Sequence, residues 1–341
     1  MVGAVVARGE RIIGEGFHRV AGEPHAEPIA LAAAGRQARG ATLYVSLEPC
    51  THHGRTPPCV EAVIAAGVRR VVVCHRDPDP RMAGRGLAAL RKAGIAVDAG
   101  TLAREAVRLN FAYLVSVTLG RPAITLKWAQ SLDGRIAAGS GRSQWISGPP
   151  ARRWALDLRE RHDAVLVGVG TILADDPRLD RRLGRAPGPG LRVVLDRRLR
   201  TPATARLFTV EGPVVMYTRN PQRARRAALE RVGAEVVVLP EVSPERVVED
   251  LEQRGVRSLL VEGGGEVLGA FAAAGLYDRV QVVTAPLLLG GAVGALREPL
   301  TASPDAAPRL EEVALRRLGT DWILTGYRDG CLPALYKSVG A

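Results

Sequence analysis

His25 and Glu27 stand two positions apart in Gly22-Glu23-Pro24-His25-Ala26-Glu27, and Cys50 and Cys59 follow, the first of them in Glu48-Pro49-Cys50. One imidazole and two thiolates make a zinc shell of three protein ligands with a fourth position left for water, which is the catalytic and not the structural arrangement. Glu27 is then the carboxylate close enough to move that water's protons. A lone His-x-Glu recurs by chance; the Pro-Cys after a strand and the second cysteine at a helix start turn it into a zinc reading. Two glycine turns, Gly168-Val169-Gly170-Thr171 and Gly263-Gly264-Gly265-Glu266, offer a second chemistry, because backbone N–H groups and a helix dipole can receive a phosphate there. Neither completes Gly-x-Gly-x-x-Gly and no acidic ribose partner follows at the right distance, so a Rossmann site is not expected.

Residues two apart on a regular helix point to nearly opposite sides, so His25 and Glu27 share a site only at the irregular start of one, where Pro24 puts them. The pattern predicts a hairpin over 3–7 and 11–17, then a helix over 25–39, a strand over 42–47, a helix over 58–66 and a strand over 70–74. Helix, strand and helix continue over 83–93, 95–100 and 101–119. Cys50 follows a strand directly and Cys59 follows Pro57-Pro58 at a helix start, which favours the thiolate that zinc binds. Alternation of strands with short helices argues for a buried sheet with helices on both faces. Gly120-Arg121-Pro122 is a joint. Beyond it strands are predicted over 123–128, 164–169, 191–196, 214–218, 235–239, 258–261, 279–284 and 322–326, and helices over 149–161, 221–232, 244–254 and 266–274.

A chain of 341 residues exceeds one ordinary core, so at least two domains are expected. The net charge of +12 invites a nucleic-acid reading, yet Lys92, Lys127 and Lys337 are the only lysines among 47 basic residues and the arginines are scattered without interleaved aromatics. No nucleic-acid partner is expected; a zinc-stabilised nucleic-acid binder would rest on the charge alone. Four cysteines do not make a disulfide framework. With no apolar run of about 18 residues and no basic segment before Val5-Val6, neither a membrane partner nor a signal peptide is expected, and the location expected is cytoplasmic. A homo-oligomer is the expected assembly.

The zinc residues resemble the cytidine-deaminase-like superfamily, whose His-x-Glu and Pro-Cys-x-x-Cys signature uses the glutamate as proton shuttle. Here eight residues separate the cysteines, Thr51-His52-His53-Gly54-Arg55-Thr56-Pro57-Pro58, where the usual signature has two. With Asp77-Pro78-Asp79-Pro80 and Ala83-Gly84-Arg85-Gly86 this looks like the deaminase half of the bifunctional riboflavin-biosynthesis deaminase–reductases. The resemblance implies hydrolytic removal of an amino group from a diaminopyrimidinone ribosylamine phosphate, with zinc as cofactor, Glu27 as catalytic residue, and His18 and Arg55 against the substrate.

Lys127, Ser131-Leu132-Asp133-Gly134-Arg135, Ser143-Gln144-Trp145-Ile146, Ala174-Asp175-Asp176-Pro177-Arg178-Leu179 and Val261-Glu262-Gly263-Gly264 look like the reductase half of the same family, whose fold is similar to dihydrofolate reductase. This implies reduction by NADPH of the ribosyl group of the deaminated product to ribityl. By motif, Ala129, Trp145, Thr171 and Asp175 fall at the cofactor, with the turn Gly264-Gly265-Glu266-Val267-Leu268-Gly269-Ala270. Ser143, Arg159, Leu179, Arg182 and Glu262 fall at the phosphorylated pyrimidine substrate. The implied fold class is α/β, a cytidine-deaminase-like α/β/α domain over 1–119 followed by a dihydrofolate-reductase-like α/β domain over 120–341.

Three departures stand out. Asp79 occupies a place where the family usually has asparagine, and Arg197 one where relatives often carry a small polar residue. The family's opening helix and Asn-Pro pair have no counterpart before Val2-Gly3, and a mis-called start or a fragment is the preferred explanation. A protein truly starting at Met1 is expected to show weak or absent deaminase activity, leaving a reductase beside an inactive deaminase domain. Residues 330–341 match no motif.

Overall fold

A computed structural model describes residues 2–20, 22–186, 188–291 and 293–340, so that Met1, on which the question of the start turns, lies outside the described residues. Two compact units are present, Met1–Gly120 with Leu332–Ala341, and Arg121–Cys331.

The first unit is built on strands β1 (Gly3–Arg8), β2 (Arg11–Phe17), β3 (Thr42–Val45), β4 (Arg70–Val73) and β5 (Ala96–Ala99), with helices α1 (Ala26–Ala34), α2 (Cys59–Ala66), α3 (Arg85–Lys92), α4 (Ala103–Leu109) and α5 (Phe111–Leu119). Sheet order is β2-β1-β3-β4-β5, with β1 antiparallel to both neighbours and β3, β4 and β5 parallel. The period-2 alternation of the strands turns Ala4 and Val6, Leu43 and Val45, and Val71 and Val73 toward the core that α1, α2 and α3 close. Val72, on the opposite face, is buried as well. Two glycines set α1 on the sheet: a Cβ on Gly14 would stand 2.3 Å from the Ala30 carbonyl oxygen, and one on Gly16 2.6 Å from that of Ala26. With no side chain at either place the helix lies directly on β2, and its N-terminus, bearing His25 and Glu27, is fixed against the sheet.

Two predicted helices differ from those observed. The helix over 25–39 ends at Gly35, whose positive φ closes it, and a 3-10 turn Gly35–Ala38 follows. The helix over 101–119 is interrupted at Asn110, which separates α4 from α5 and whose buried side-chain amide lies 3.2 Å from the ring Nε2 of His75.

The second unit contains β6 (Ala123–Ser131), α6 (Pro149–Glu160), β7 (Ala164–Gly168), α7 (Val169–Asp175), β8 (Leu191–Leu195), β9 (Val214–Thr218), α8 (Arg223–Arg231), β10 (Ala234–Val238), α9 (Pro244–Gln253), β11 (Ser258–Val261), α10 (Gly265–Ala273), β12 (Arg279–Ala285), β13 (Leu310–Leu318) and β14 (Asp321–Arg328). Its sheet runs β10-β9-β8-β7-β11-β6-β12-β14-β13, parallel through β12 and antiparallel over the last two pairs. Leu166, Val193, Val215 and Leu259 face one core with Phe271 of α10 and Leu251 of α9; Val165, Val194, Met216 and Leu260 face the other with Leu158 of α6 and Leu229 of α8. Helices therefore cover both faces, and the carboxyl ends of β11, β7 and β8 lie side by side on one edge, the usual place for a ligand in such sheets. Strand β13 has no counterpart in the sequence reading because most of its residues are half-buried or exposed and its hydrophobic alternation is faint.

Residues 331–339 form a last helix, α11, and from Leu332 onward the chain clusters with the first unit and not with the second, where a boundary at 120–341 would put it. Leu332, Leu335 and Val339 are buried, and Arg104 of α4 lies over the Tyr336 ring at 5.4 Å from its centroid. These apolar positions recur at helical spacing, and the face they need is supplied by a part of the chain more than two hundred positions away.

Candidate active sites

In the first unit His25 is the N-cap of α1, Glu27 lies in its first turn, Cys59 opens α2 and Cys50 sits in the loop after β3. His25 Nδ1 is 3.1 Å from Cys59 Sγ and 3.5 Å from Cys50 Sγ, and the Cys59 N–H donates to Cys50 Sγ at 3.3 Å. Donors bonded to one tetrahedral zinc stand roughly 3.5 Å apart, given bonds of about 2.0 Å to nitrogen and 2.3 Å to sulfur. The three atoms, all within 4.8 Å of one another, fit that group. Hydrogen bonding from Cys59, opposed by burial, draws the Cys50 thiol down to about 5, whereas Cys59, facing that thiolate and itself buried, is pushed up. The pair therefore holds one thiolate ready, and a cation would complete the second.

Glu27 is 3% exposed and its Oε2 has no hydrogen-bond partner. Burial lifts its carboxyl from 4.5 to about 7. An unpartnered buried oxygen beside one imidazole and two thiols is the feature a metal-held water would satisfy. His18 stacks edge-on against His25 with ring centroids 5.1 Å apart, and its Nδ1 lies 3.2 Å from the Pro24 carbonyl oxygen. Arg55 is exposed in the insertion loop and its Cδ would stand 3.7 Å from a Cβ on Gly22, which places it beside the turn that leads to His25. The six predicted deaminase residues thus gather around one corner. Asp79, at the departure from asparagine, is engaged by Arg81, whose Nη2 donates to its Oδ2 at 2.6 Å.

The second site lies on the carboxyl edge of the larger sheet. Lys127 Nζ and Arg159 Nε bracket Glu262 just beyond β11, at 2.8 Å from Oε1 and 2.7 Å from Oε2. Burial raises the Glu262 carboxyl, but the two cations outweigh it and hold it at about 2. The turns β7–α7 and β11–α10 nest together: a Cβ on Gly168 would meet Val267 Cγ2 at 2.7 Å, and the Gly264 N–H donates to Thr171 Oγ1 at 3.2 Å. A Cβ on Gly265 would stand 2.6 Å from the Gly294 carbonyl oxygen, in the segment after β12. Gly168 and Gly264 cap helices α7 and α10, so no N-cap side chain takes a first-turn N–H. Paired bare helix starts with glycines at the turn suit a dinucleotide's pyrophosphate.

Ser143 Oγ donates to Asp175 Oδ1 at 2.5 Å, and Ser143 and Trp145 share the wall of a cavity of about 260 Å³ with Leu287 and Leu289. Trp145 is 68% exposed and carries Arg152 over its ring at 4.4 Å. Leu179 is buried with a positive φ, and Arg182 pairs with Asp180 at 2.6 Å. In the turn of 264–270, Glu266 pairs with Arg297 at 3.0 Å and Leu268 is core; Ala129, on β6, packs near Val283 and Ile323. Two further charged residues stand at these sites: Lys127, whose place in an apolar strand is itself a signal, and Glu48, directly before Pro49-Cys50.

Residues 122–324 match the family model described as RibD C-terminal domain, and residues 1–75 that of the cytidine and deoxycytidylate deaminase zinc-binding region. The chain is 43% identical to the riboflavin biosynthesis protein RibD of Aquifex aeolicus over 290 residues, 85% of this chain and 81% of that protein. To the Escherichia coli protein of the same name it is 41% identical over 337 residues, covering 94% and 91%. Among solved structures, Acinetobacter baumannii RibD superposes with a TM-score of 0.85 at 37% identity, covering 96% of this chain and 92% of that one. A Thermotoga maritima diaminohydroxyphosphoribosylaminopyrimidine deaminase/5-amino-6-(5-phosphoribosylamino)uracil reductase does so at 0.85 and 34%, covering 96% and 91%.

Proposed function

We propose, from the premise that the chain belongs to the RibD family of bifunctional riboflavin-biosynthesis deaminase–reductases, that its two compact units divide two consecutive reactions between them. The first unit hydrolyses an amino group from a diaminopyrimidinone ribosylamine phosphate: the carbon–nitrogen bond breaks, water supplies the carbonyl oxygen and ammonia leaves. His25, Cys50 and Cys59 hold the zinc, which when bound supplies a Lewis acid that lowers the pKa of water. Glu27 relays the two protons of water in turn, one to the ring nitrogen and one to the departing amine, which leaves as ammonia, a task suited to a carboxyl near 7. His18 and Arg55 flank the substrate, the guanidinium being fitted to a phosphate.

The second unit reduces the ribosyl group of the deaminated product to ribityl. NADPH, when bound, supplies the hydride. The nested turns receive its pyrophosphate, with Thr171 and the backbone of 264–270 beside it and Ala129, Trp145 and Asp175 around the rest. Ser143, Arg159, Leu179, Arg182 and Glu262 orient the sugar phosphate, and Lys127 holds Glu262 in place for that work.

The observation that supports this reading most directly is the gathering of one imidazole and two thiols beside the buried Glu27 carboxylate, one oxygen of which is unpartnered. Given the diamino substrate and NADPH, the purified chain should release one ammonia for each NADPH oxidised; NADPH oxidation confined to pre-deaminated substrate would contradict it. A homo-oligomer is part of the same reading, supported by the exposed Val313 and Leu315 on β13, the last strand of its sheet. So is a cytoplasmic location, supported by the use of NADPH and of free thiols as ligands. Among the described residues no helix is long and apolar enough to cross a membrane.

A further inference from the structure

Glu48 is 3% exposed and stands two positions before Cys50, yet its carboxylate is directed at a segment some thirty to forty positions on. Its Oε2 accepts the N–H groups of Asp77 at 3.1 Å and Gly84 at 3.0 Å, and its Oε1 those of Gly86 at 2.8 Å and Leu87 at 3.3 Å. Its own N–H donates to the His75 carbonyl oxygen at 3.2 Å. Three of the four donors lie at the start of α3, where the N-cap Gly84 has no side chain to offer. A helix start leaves such N–H groups without partners and favours a negative charge. The carboxylate that meets this need belongs to the zinc-ligand loop. Contact continues one residue on: a Cβ on Gly86 would stand 2.2 Å from the Pro49 carbonyl oxygen. The loop Glu48-Pro49-Cys50 and the start of α3 are therefore moulded to one another.

We infer that Glu48 is a positioning residue for the metal centre: by gripping the segment 77–87 through four N–H groups it fixes Pro49-Cys50, and through it the place of the Cys50 sulfur relative to His25 and Cys59. The inference rests on the reading of those three residues as zinc ligands. A carboxylate is required for the grip, since four donors need an acceptor-only group. An amide at this place would turn its NH2 toward N–H donors and leave at least one of them unpaired in a buried setting. Partners that orient a metal ligand typically cost 10–100-fold in metal affinity when removed.

The test uses the full chain, with zinc transfer to a chromophoric chelator and the thiolate-to-cobalt band of the cobalt-substituted protein as readouts. Glu48→Gln is expected to weaken zinc binding by about 10–100-fold and to shift the cobalt band. Gly86→Ala, which pushes on Pro49 and leaves the carboxylate intact, should move both readouts in the same direction, and it carries the test where Glu48→Gln fails to fold. A lower melting temperature with unchanged zinc affinity and an unmoved cobalt band would show a helix cap and nothing more, and would overturn the inference while leaving the zinc ligands standing. A wild-type chain that binds no zinc would remove both.

Discussion

Lys127 Nζ lies 2.8 Å from Glu262 Oε1, joining two neighbouring parallel strands one step past the register pair Leu126 and Val261. Arg159 takes the other oxygen, so the carboxylate is neutralised from two sides at the sheet's carboxyl edge. Its carboxyl is held at about 2, below the ordinary 4.5, so the stabilisation is complete above pH 4.5 and lost as the pH falls through 2. Glu262→Gln should therefore cost about 3–5 kcal/mol at pH 7, because two cations lose their partner. The gap in melting temperature between wild type and variant, followed by calorimetry, should stay constant above pH 5 and shrink below it. A gap that widened on acidification would refute the assignment.

Cys59 both supplies a sulfur and presents its N–H to Cys50. Cys59→Ser removes a soft donor and should reduce bound zinc, measured by atomic absorption, from one per chain to a small fraction. NADPH binding by the second unit should not change. Full zinc occupancy in that variant would exclude Cys59 as a ligand.

Gly265 opens α10 where a Cβ would strike the Gly294 carbonyl oxygen. Gly265→Ala must displace backbone, at about 1–3 kcal/mol for an overpacked site. If that cost falls on the binding site, isothermal titration should give an NADPH Kd weaker by about 5- to 140-fold, since 1.4 kcal/mol is one decade. Unchanged affinity would mean that the pyrophosphate lies elsewhere.

Leu335 of α11 is 1% exposed and clusters with the first unit. Leu335→Ala should cost about 2–5 kcal/mol. The loss should appear in the unfolding transition that releases zinc, with the transition that NADPH raises left in place. A loss confined to the NADPH-sensitive transition would assign the helix to the wrong unit.

Much of the fold was legible along the chain, for a physical reason in each case. The strands of the second unit are buried on both faces and read as apolar runs, and the proposed metal donors stand out by residue type and by their place at strand and helix ends. What was not legible depended on contacts distant in sequence. Asn110, where the predicted helix is interrupted, meets His75; the home of α11 needs α4; the duty of Glu48 needs the bare start of α3. Gly14 and Gly16 read as ordinary strand glycines, and only the arrival of α1 on β2 shows why no side chain fits there.

Glu27 is the carboxylate proposed to move protons at the metal centre. The decisive measurement is ammonia release by Glu27→Gln from the diamino substrate, taken beside its zinc content and its NADPH oxidation on pre-deaminated substrate. Expected are one zinc per chain, unimpaired reduction, and ammonia release slowed by about 10²–10⁴-fold. Ammonia release within a few-fold of wild type, with zinc in place, would contradict that role.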